Sequence, residues 1–233
     1  MMDEKVIDLK ELQELSELFG VSGHEQAVVE YLDKHIDFDM KRDAIGSALF
    51  TQGNEGVRIM IATHMDEVGF YLKKITDEGY LKLQPVGNIW THVLLNQEVA
   101  VVTSKGDVYY GIIGSKATHG ISPKLRAKTV DIEDVFVDMG VTSKKTLLNL
   151  GIKEGNMVVP VAKSRIMNDP DFVSGKAFDN RASCAVGLWT MKALKENPSK
   201  NTVTLAATVQ EEVGLRGART TADLIYPDLA IAI

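Results

Sequence analysis

The chain has 233 residues, 45% of them hydrophobic and 25% charged, with a formal net charge of -6. That balance suits one large folded domain or two modest ones and excludes a disordered chain. Acids and bases are interspersed with no basic stripe, which argues against a nucleic-acid partner, and no apolar run approaches the roughly 20 residues needed to cross a bilayer.

Val6 to Phe19 carries apolar residues at helical spacing (Val6, Leu9, Leu12, Leu15, Leu18), and Gly20 is placed to end that helix. Ser22 followed by Glu25 forms a capping-box pattern, predicting a second helix to about His35 with His24 in its first turn. Ile36 to Thr51 reads as a short strand pair. Val57 to Ala62 is almost wholly apolar, as expected of a strand buried on both faces, and runs directly into His64 and Asp66.

From Glu67 to about Val161 the helical periodicity gives way to short runs rich in Val, Ile, Tyr and Phe, punctuated by Gly, Asp and Asn. This spacing predicts a compact β-barrel or sandwich, interrupted by one short helix over SKKTLLNL that Gly151 closes. Flanking α/β signals mark the module as an insertion. Residues 69–162 are therefore expected to form it, and 1–68 with 163–233 the interrupted α/β domain.

The α/β pattern resumes with a helix from about Arg181 to Asn197, on which Cys184, Leu188, Met191 and Leu194 share a face. Asp179 falls at or near its N-terminus, where a plain N-cap is the simplest reading. Cys184, the only cysteine, reads as a core thiol and suits a reducing, cytoplasmic setting, as does an acidic N-terminus without an apolar signal core. Asn201 to Gln210 is a buried strand ending in the adjacent acids Glu211 and Glu212, and a short helix over Gly214 to Ile225 follows. A last apolar strand begins at Asp228. Because a compact domain rarely ends on a core strand, the chain is expected to be a C-terminally truncated piece of a longer protein, with Asp as the next residue.

Three separate loops thus offer hard ligands: His64 with Asp66, Asp179, and Glu211 with Glu212. Imidazole and carboxylates without thiolates suit zinc, cobalt or manganese. His92 and His119, in loop-like parts of the β module, read as surface or interface residues; Arg181 and Arg216 could pair with the acids or touch substrate.

The stretches ATHMDEVGF, GKAFDNRASC and VQEEVGLRGA resemble the three signatures of the co-catalytic metallo-aminopeptidases, the family that includes glutamyl aminopeptidase and the tetrahedral, deblocking aminopeptidases. GIIGSKATHGISP and VFVDMGVTSKKTLLNLGI, inside the insertion, extend the resemblance over nearly the whole chain. It implies a zinc-peptidase-like α/β/α sandwich with a mixed central sheet. It implies two divalent metal ions, zinc first and cobalt or manganese next. His64 would ligate one, Asp179 would bridge both and Glu212 would ligate the second. Glu211 would be the general base and Asp66 would orient the imidazole of His64. The implied reaction removes N-terminal residues, acidic ones among them, from short peptides with a free N-terminus. The β module would mediate assembly into a large homo-oligomer. Family members run on for about another third of their length, with an aspartate ligand and a late histidine that this sequence lacks. A related di-metal deacylase or carboxypeptidase, or an assembly module without chemistry, are the alternative readings.

Overall fold

The computed structural model describes residues 7–120 and 122–233. In chain order the elements are α1 (Leu9–Glu17), α2 (Gln26–His35), β1 (Met40–Arg42), β2 (Ala48–Gln52), β3 (Arg58–His64), β4 (Gly69–Ile75), β5 (Tyr80–Val86), β6 (Glu98–Val102) and β7 (Val108–Gly114). They continue with α3 (Pro123–Arg126), β8 (Phe136–Asp138), α4 (Lys144–Asn149), β9 (Met157–Pro160), β10 (Arg165–Ile166), β11 (Val173–Ser174), α5 (Phe178–Glu196), β12 (Thr202–Thr208), α6 (Arg216–Ile225) and β13 (Leu229–Ala232). Two compact units result: one holds the described residues up to Glu67 together with Lys163–Ile233, the other holds Val68–Ala162.

The first unit is built on a five-stranded sheet in the order β1-β2-β12-β3-β13. β12, β3 and β13 run parallel, whereas β2 is antiparallel to both β1 and β12, so the sheet is mixed. Strand alternation sends Leu205 and Ala207 to one face and Ala206 to the other. Leu205 and Ala207 meet Leu15 of α1, Val28, Val29 and Leu32 of α2, and Cys184, Leu188 and Met191 of α5. Ala206 packs with Leu49, Met60 and, from α6, Ala222 and Ile225. Helices on both faces make this an α/β/α sandwich. Full burial of a side chain such as Leu205 contributes about 1.5–3 kcal/mol, and β12 is buried from Val203 to Thr208, its threonines included. Close approach also counts: a Cβ on Gly217 would lie 2.5 Å from the Val209 carbonyl oxygen, so only glycine lets α6 start against the end of β12. β13 is exposed along its length, with Leu229 and Ile231 each about half accessible.

Helix α1 follows the predicted stripe, although Val6 lies outside the described residues. Asp8 caps it by accepting the Lys10 N–H at 2.8 Å. The capping-box expectation fails. α2 begins at Gln26, the Glu25 carboxylate makes no capping bond to it, and the Ser22 hydroxyl donates to Asp66 at 2.6 Å instead. A buried carboxylate is the stronger acceptor and draws Ser22 away from the helix. His24 accordingly precedes the first turn.

The second unit is a closed six-stranded barrel in the order β4-β5-β8-β7-β6-β9. Pairing of Phe70 with Val158 and Tyr71 with Met157 joins β4 to β9 and closes it. Between the two architectures predicted here, closure removes the sheet edges that a sandwich would leave. Phe70, Leu72, Leu81, Val99, Val101, Ile113, Val137 and Val158 fill the interior. The predicted short helix is α4, capped by the Ser143 hydroxyl, which accepts the Thr146 N–H. Gly151, at φ 81°, follows it. His92 and His119 are exposed on this unit. No helix among the described residues is long and apolar enough to cross a membrane.

Candidate metal centre

β3 and β12 are parallel neighbours in register, with Thr208 opposite His64, so the two strands end side by side. The Met65 N–H donates to the Thr208 carbonyl at 2.8 Å and the Thr208 hydroxyl to the Thr63 carbonyl at 2.9 Å, extending the pairing past the strand ends. Side chains that leave both strands at this point are necessarily close. This is where open α/β sheets place their sites, beyond the carboxyl ends of the strands.

One ligand atom each from His64, Glu211 and Glu212 lies within 4.8 Å of the others. Asp179 enters from the first turn of α5, where the helix is kinked by non-helical backbone at Asp179 and Asn180. Its Oδ1 stands 3.0 Å from His64 Nε2, and its side chain is mostly exposed. Three carboxylates, Asp179, Glu211 and Glu212, from two further motifs therefore converge on the imidazole edge of His64. Asp179 sits in extended backbone (φ -81°, ψ 102°) where the regular part of the helix begins, and its carboxylate turns to His64.

Asp66 lies beneath this edge and is fully buried. Its Oδ1 accepts the Glu211 N–H at 3.0 Å, and its Oδ2 accepts the Glu212 N–H at 3.1 Å and the Ser22 hydroxyl. Toward His64 Nδ1 it offers both its backbone carbonyl at 3.1 Å and its carboxylate at 3.5 Å. Burial alone would raise the Asp66 pKa, but its bonds to His64, Ser22 and the two main-chain amides hold it below the usual carboxylate range.

The local field is strongly negative. Burial works to neutralise His64, yet the neighbouring Asp66, Glu211 and Asp179 outweigh it and raise the imidazole pKa. Burial, with repulsion from Asp66, Glu211 and Asp179, raises the Glu212 pKa, His64 opposing it. Among the described residues no lysine or arginine pairs with Asp179, Glu211 or Glu212. An excess of convergent carboxylates around one imidazole, lacking its own cation, fits a divalent ion.

Around this edge is a buried ionic frame of Glu67, Lys176 and Arg181. Arg181, fully buried, donates to the carbonyls of Met65, Leu15, Leu18 and Gly20 and lies 3.7 Å from Glu67. Lys176 bonds both oxygens of Glu67, at 2.6 and 2.7 Å, and burial lowers its pKa despite that partner. Arg181 thus supports main chain and cannot touch substrate. Arg216 bonds the Gln210 side chain at 3.3 Å rather than the acid pair. Cys184 is a buried core thiol whose Sγ donates to the His64 carbonyl. GKAFDNR holds both Lys176 and Arg181, and Glu67 directly follows Asp66, but nothing in their spacing announces a shared ion network.

A mixed α/β/α sandwich with an acid-rich, imidazole-bearing edge past its parallel strands defines an α/β protein with a candidate divalent-metal centre. Residues 46–233 match the family described as M42 glutamyl aminopeptidase, and the chain belongs to that family. The crystal structure of a TET aminopeptidase from the marine sediment archaeon Thaumarchaeota archaeon SCGC AB-539-E09 is 38% identical, with a TM-score of 0.89 over 98% of this chain and 66% of that one. The TET1 peptidase of Pyrococcus horikoshii, which can assemble into a tetrahedron or a large octahedral shell, is 33% identical, with a TM-score of 0.88 over 97% of this chain and 68% of that one. Glutamyl aminopeptidase of Lactococcus lactis subsp. cremoris (strain MG1363) is 29% identical over 230 residues, 94% of this chain and 64% of that protein. The chain thus spans slightly under two thirds of that curated relative.

Proposed function

We propose that the whole protein is a metal-dependent aminopeptidase that removes N-terminal residues from short peptides. The observation that carries this reading is the convergence of His64, Glu211 and Glu212 within 4.8 Å, in a chain of the M42 family. His64, Asp179 and Glu212 are the groups that would hold two divalent ions. Zinc suits the imidazole and carboxylate donors best; cobalt and manganese are the next candidates. When bound, such ions act as Lewis acids toward the peptide carbonyl and the attacking water.

The chain's own residues account for the rest. Glu211, partly exposed beside His64, takes a proton from the water and returns it to the leaving amine. The adjacent Glu212 serves as ligand, so that one glutamate of the pair stays free to move protons. Asp66 orients His64 and holds the main chain of both glutamates. The name of the Lactococcus relative supports an acidic first residue as the starting substrate. The assembly of the Pyrococcus TET1 peptidase supports self-association, which we assign to the β-barrel unit. A single buried thiol supports a cytoplasmic setting.

The test uses the full-length protein loaded with zinc or cobalt and peptides differing only in a free or acetylated N-terminus. Cleavage of the free form alone is expected. Glu211→Gln should lower turnover by about 10²–10⁴-fold with metal content retained, the range expected for loss of a general base. Retained turnover in that variant would remove Glu211 from the role, and a preparation that binds no divalent metal would remove the reading itself.

A further inference from the structure

Three consecutive backbone amides carry the acid pair, and each donates to a buried carboxylate on another element. Asp66 takes those of Glu211 and Glu212. The third, Gln210, donates to Glu25 Oε1 at 3.0 Å. Glu25 is 5% exposed and precedes α2, far away in sequence. The same oxygen accepts the Gly23 N–H at 2.8 Å, so the carboxylate is held by its own turn while it holds Gln210. Ser22, one turn residue earlier, donates to Asp66. The Ser22–Glu25 turn therefore grips both carboxylate contacts of the loop that follows β12.

Gln210 has a specific need for such a grip. Its φ is 57°, in the left-handed region that a residue with a Cβ rarely adopts. A non-glycine residue stays there only where its surroundings over-determine it, and such positions concentrate at functional sites. Its carbonyl accepts the Arg216 N–H at 3.2 Å and its side chain the Arg216 guanidinium at 3.3 Å. Among the described residues only Glu25 accepts its N–H. Helix capping does not explain Glu25, because its carboxylate makes no capping bond to α2.

We propose that Glu25 is a positioning residue for the Glu211–Glu212 pair. By fixing Gln210 in the left-handed conformation it sets the direction in which the chain leaves β12, and with it the placement of the base and its neighbouring ligand. Its kinetic consequence rests on the aminopeptidase reading; its effect on the backbone does not.

Two readouts on the full-length protein separate these. Hydrogen exchange is measured without metal on wild type, Glu25→Ala and Glu25→Gln. In Glu25→Ala the amides of Gln210, Glu211 and Glu212 should exchange about tenfold faster or more, while Thr204 to Ala207 of β12 keep their protection. Glu25→Gln retains the acceptor oxygen and should stay within about twofold of wild type. In the metal-loaded protein, Glu25→Ala should lower kcat by about 10–100-fold with KM within about threefold, and Glu25→Gln should restore most of it. Where Glu25→Ala fails to fold, Glu25→Asp, one methylene too short to reach Gln210, is read in its place with the same expectation. Wild-type exchange at positions 210–212 in Glu25→Ala, or a Glu25→Gln variant as impaired as Glu25→Ala, would overturn the proposal. If wild type itself cleaves no peptide, the aminopeptidase reading fails and the exchange measurement alone decides the role of Glu25.

Discussion

The Asp66 carboxylate accepts the backbone N–H of Glu211 at 3.0 Å, linking the turn after β3 to the turn after β12. Its second oxygen does the same for Glu212 at 3.1 Å. A carboxylate 3.5 Å from the His64 imidazole therefore also fixes the main chain of the acid pair. In Asp66→Asn one acceptor oxygen becomes an N–H₂ group facing a main-chain N–H. On the aminopeptidase reading proposed above, zinc affinity or turnover of the full-length protein should fall about 10–100-fold, the range for loss of a group that orients a metal ligand. The stability cost should be about 1–3 kcal/mol, the penalty of leaving a buried donor unpaired. Zinc titration calorimetry and urea unfolding read the two effects, and unchanged values in both would remove Asp66 from the site.

Arg181 makes a prediction about stability. It is fully buried, and its guanidinium satisfies four carbonyls while lying 3.7 Å from Glu67. Arg181→Met leaves those carbonyls without these donors and alters the charge balance of the Lys176–Glu67 pair. The expected cost is about 3–5 kcal/mol, the range for removing one partner of a buried ionic network. Arg181→Lys should recover only part of it, because one ammonium cannot reproduce a planar fork aimed at several carbonyls. Equal urea midpoints for wild type and Arg181→Met would contradict this account.

Asp43 supplies the pH dependence. Its Oδ1 accepts the N–H groups of Ile45, Gly46 and Ser47, and its Oδ2 accepts the Thr220 hydroxyl of α6. Burial tends to raise its pKa, but these bonds prevail and lower it. The folded value is thus below the unfolded value of about 3.9. The stability from this group is complete above the unfolded value and is lost as pH falls through the folded one. The difference in melting temperature between wild type and Asp43→Ala should be level near neutral pH and shrink progressively below about pH 4. A difference that stays constant down to pH 2 would show that Asp43 does not act through its charge.

Local pattern made much of this protein legible. The apolar runs of β3 and β12, the stripe of α5 and the punctuated β segments follow from nearest-neighbour periodicity, which burial on one or two faces imposes directly. His64, Asp66, Asp179, Glu211 and Glu212 could be marked because each sits at the end of such an element. The Ser22–Glu25 pattern misled for a matching reason: a capping box is a local signal, and the long-range partners Asp66 and Gln210 outbid the helix for both side chains.

By itself, the sequence determined the elements, the insertion of a β-rich segment and the residue types available for a metal centre. Tertiary structure alone decided that β3 and β12 are parallel and end level, that the barrel closes through β4 and β9, and that Asp66 and Glu25 grip three successive amides. Hydrogen-bond partners more than a hundred residues apart leave no periodic trace in the chain. They are chosen when packing brings strand ends together and buried carboxylates must find donors.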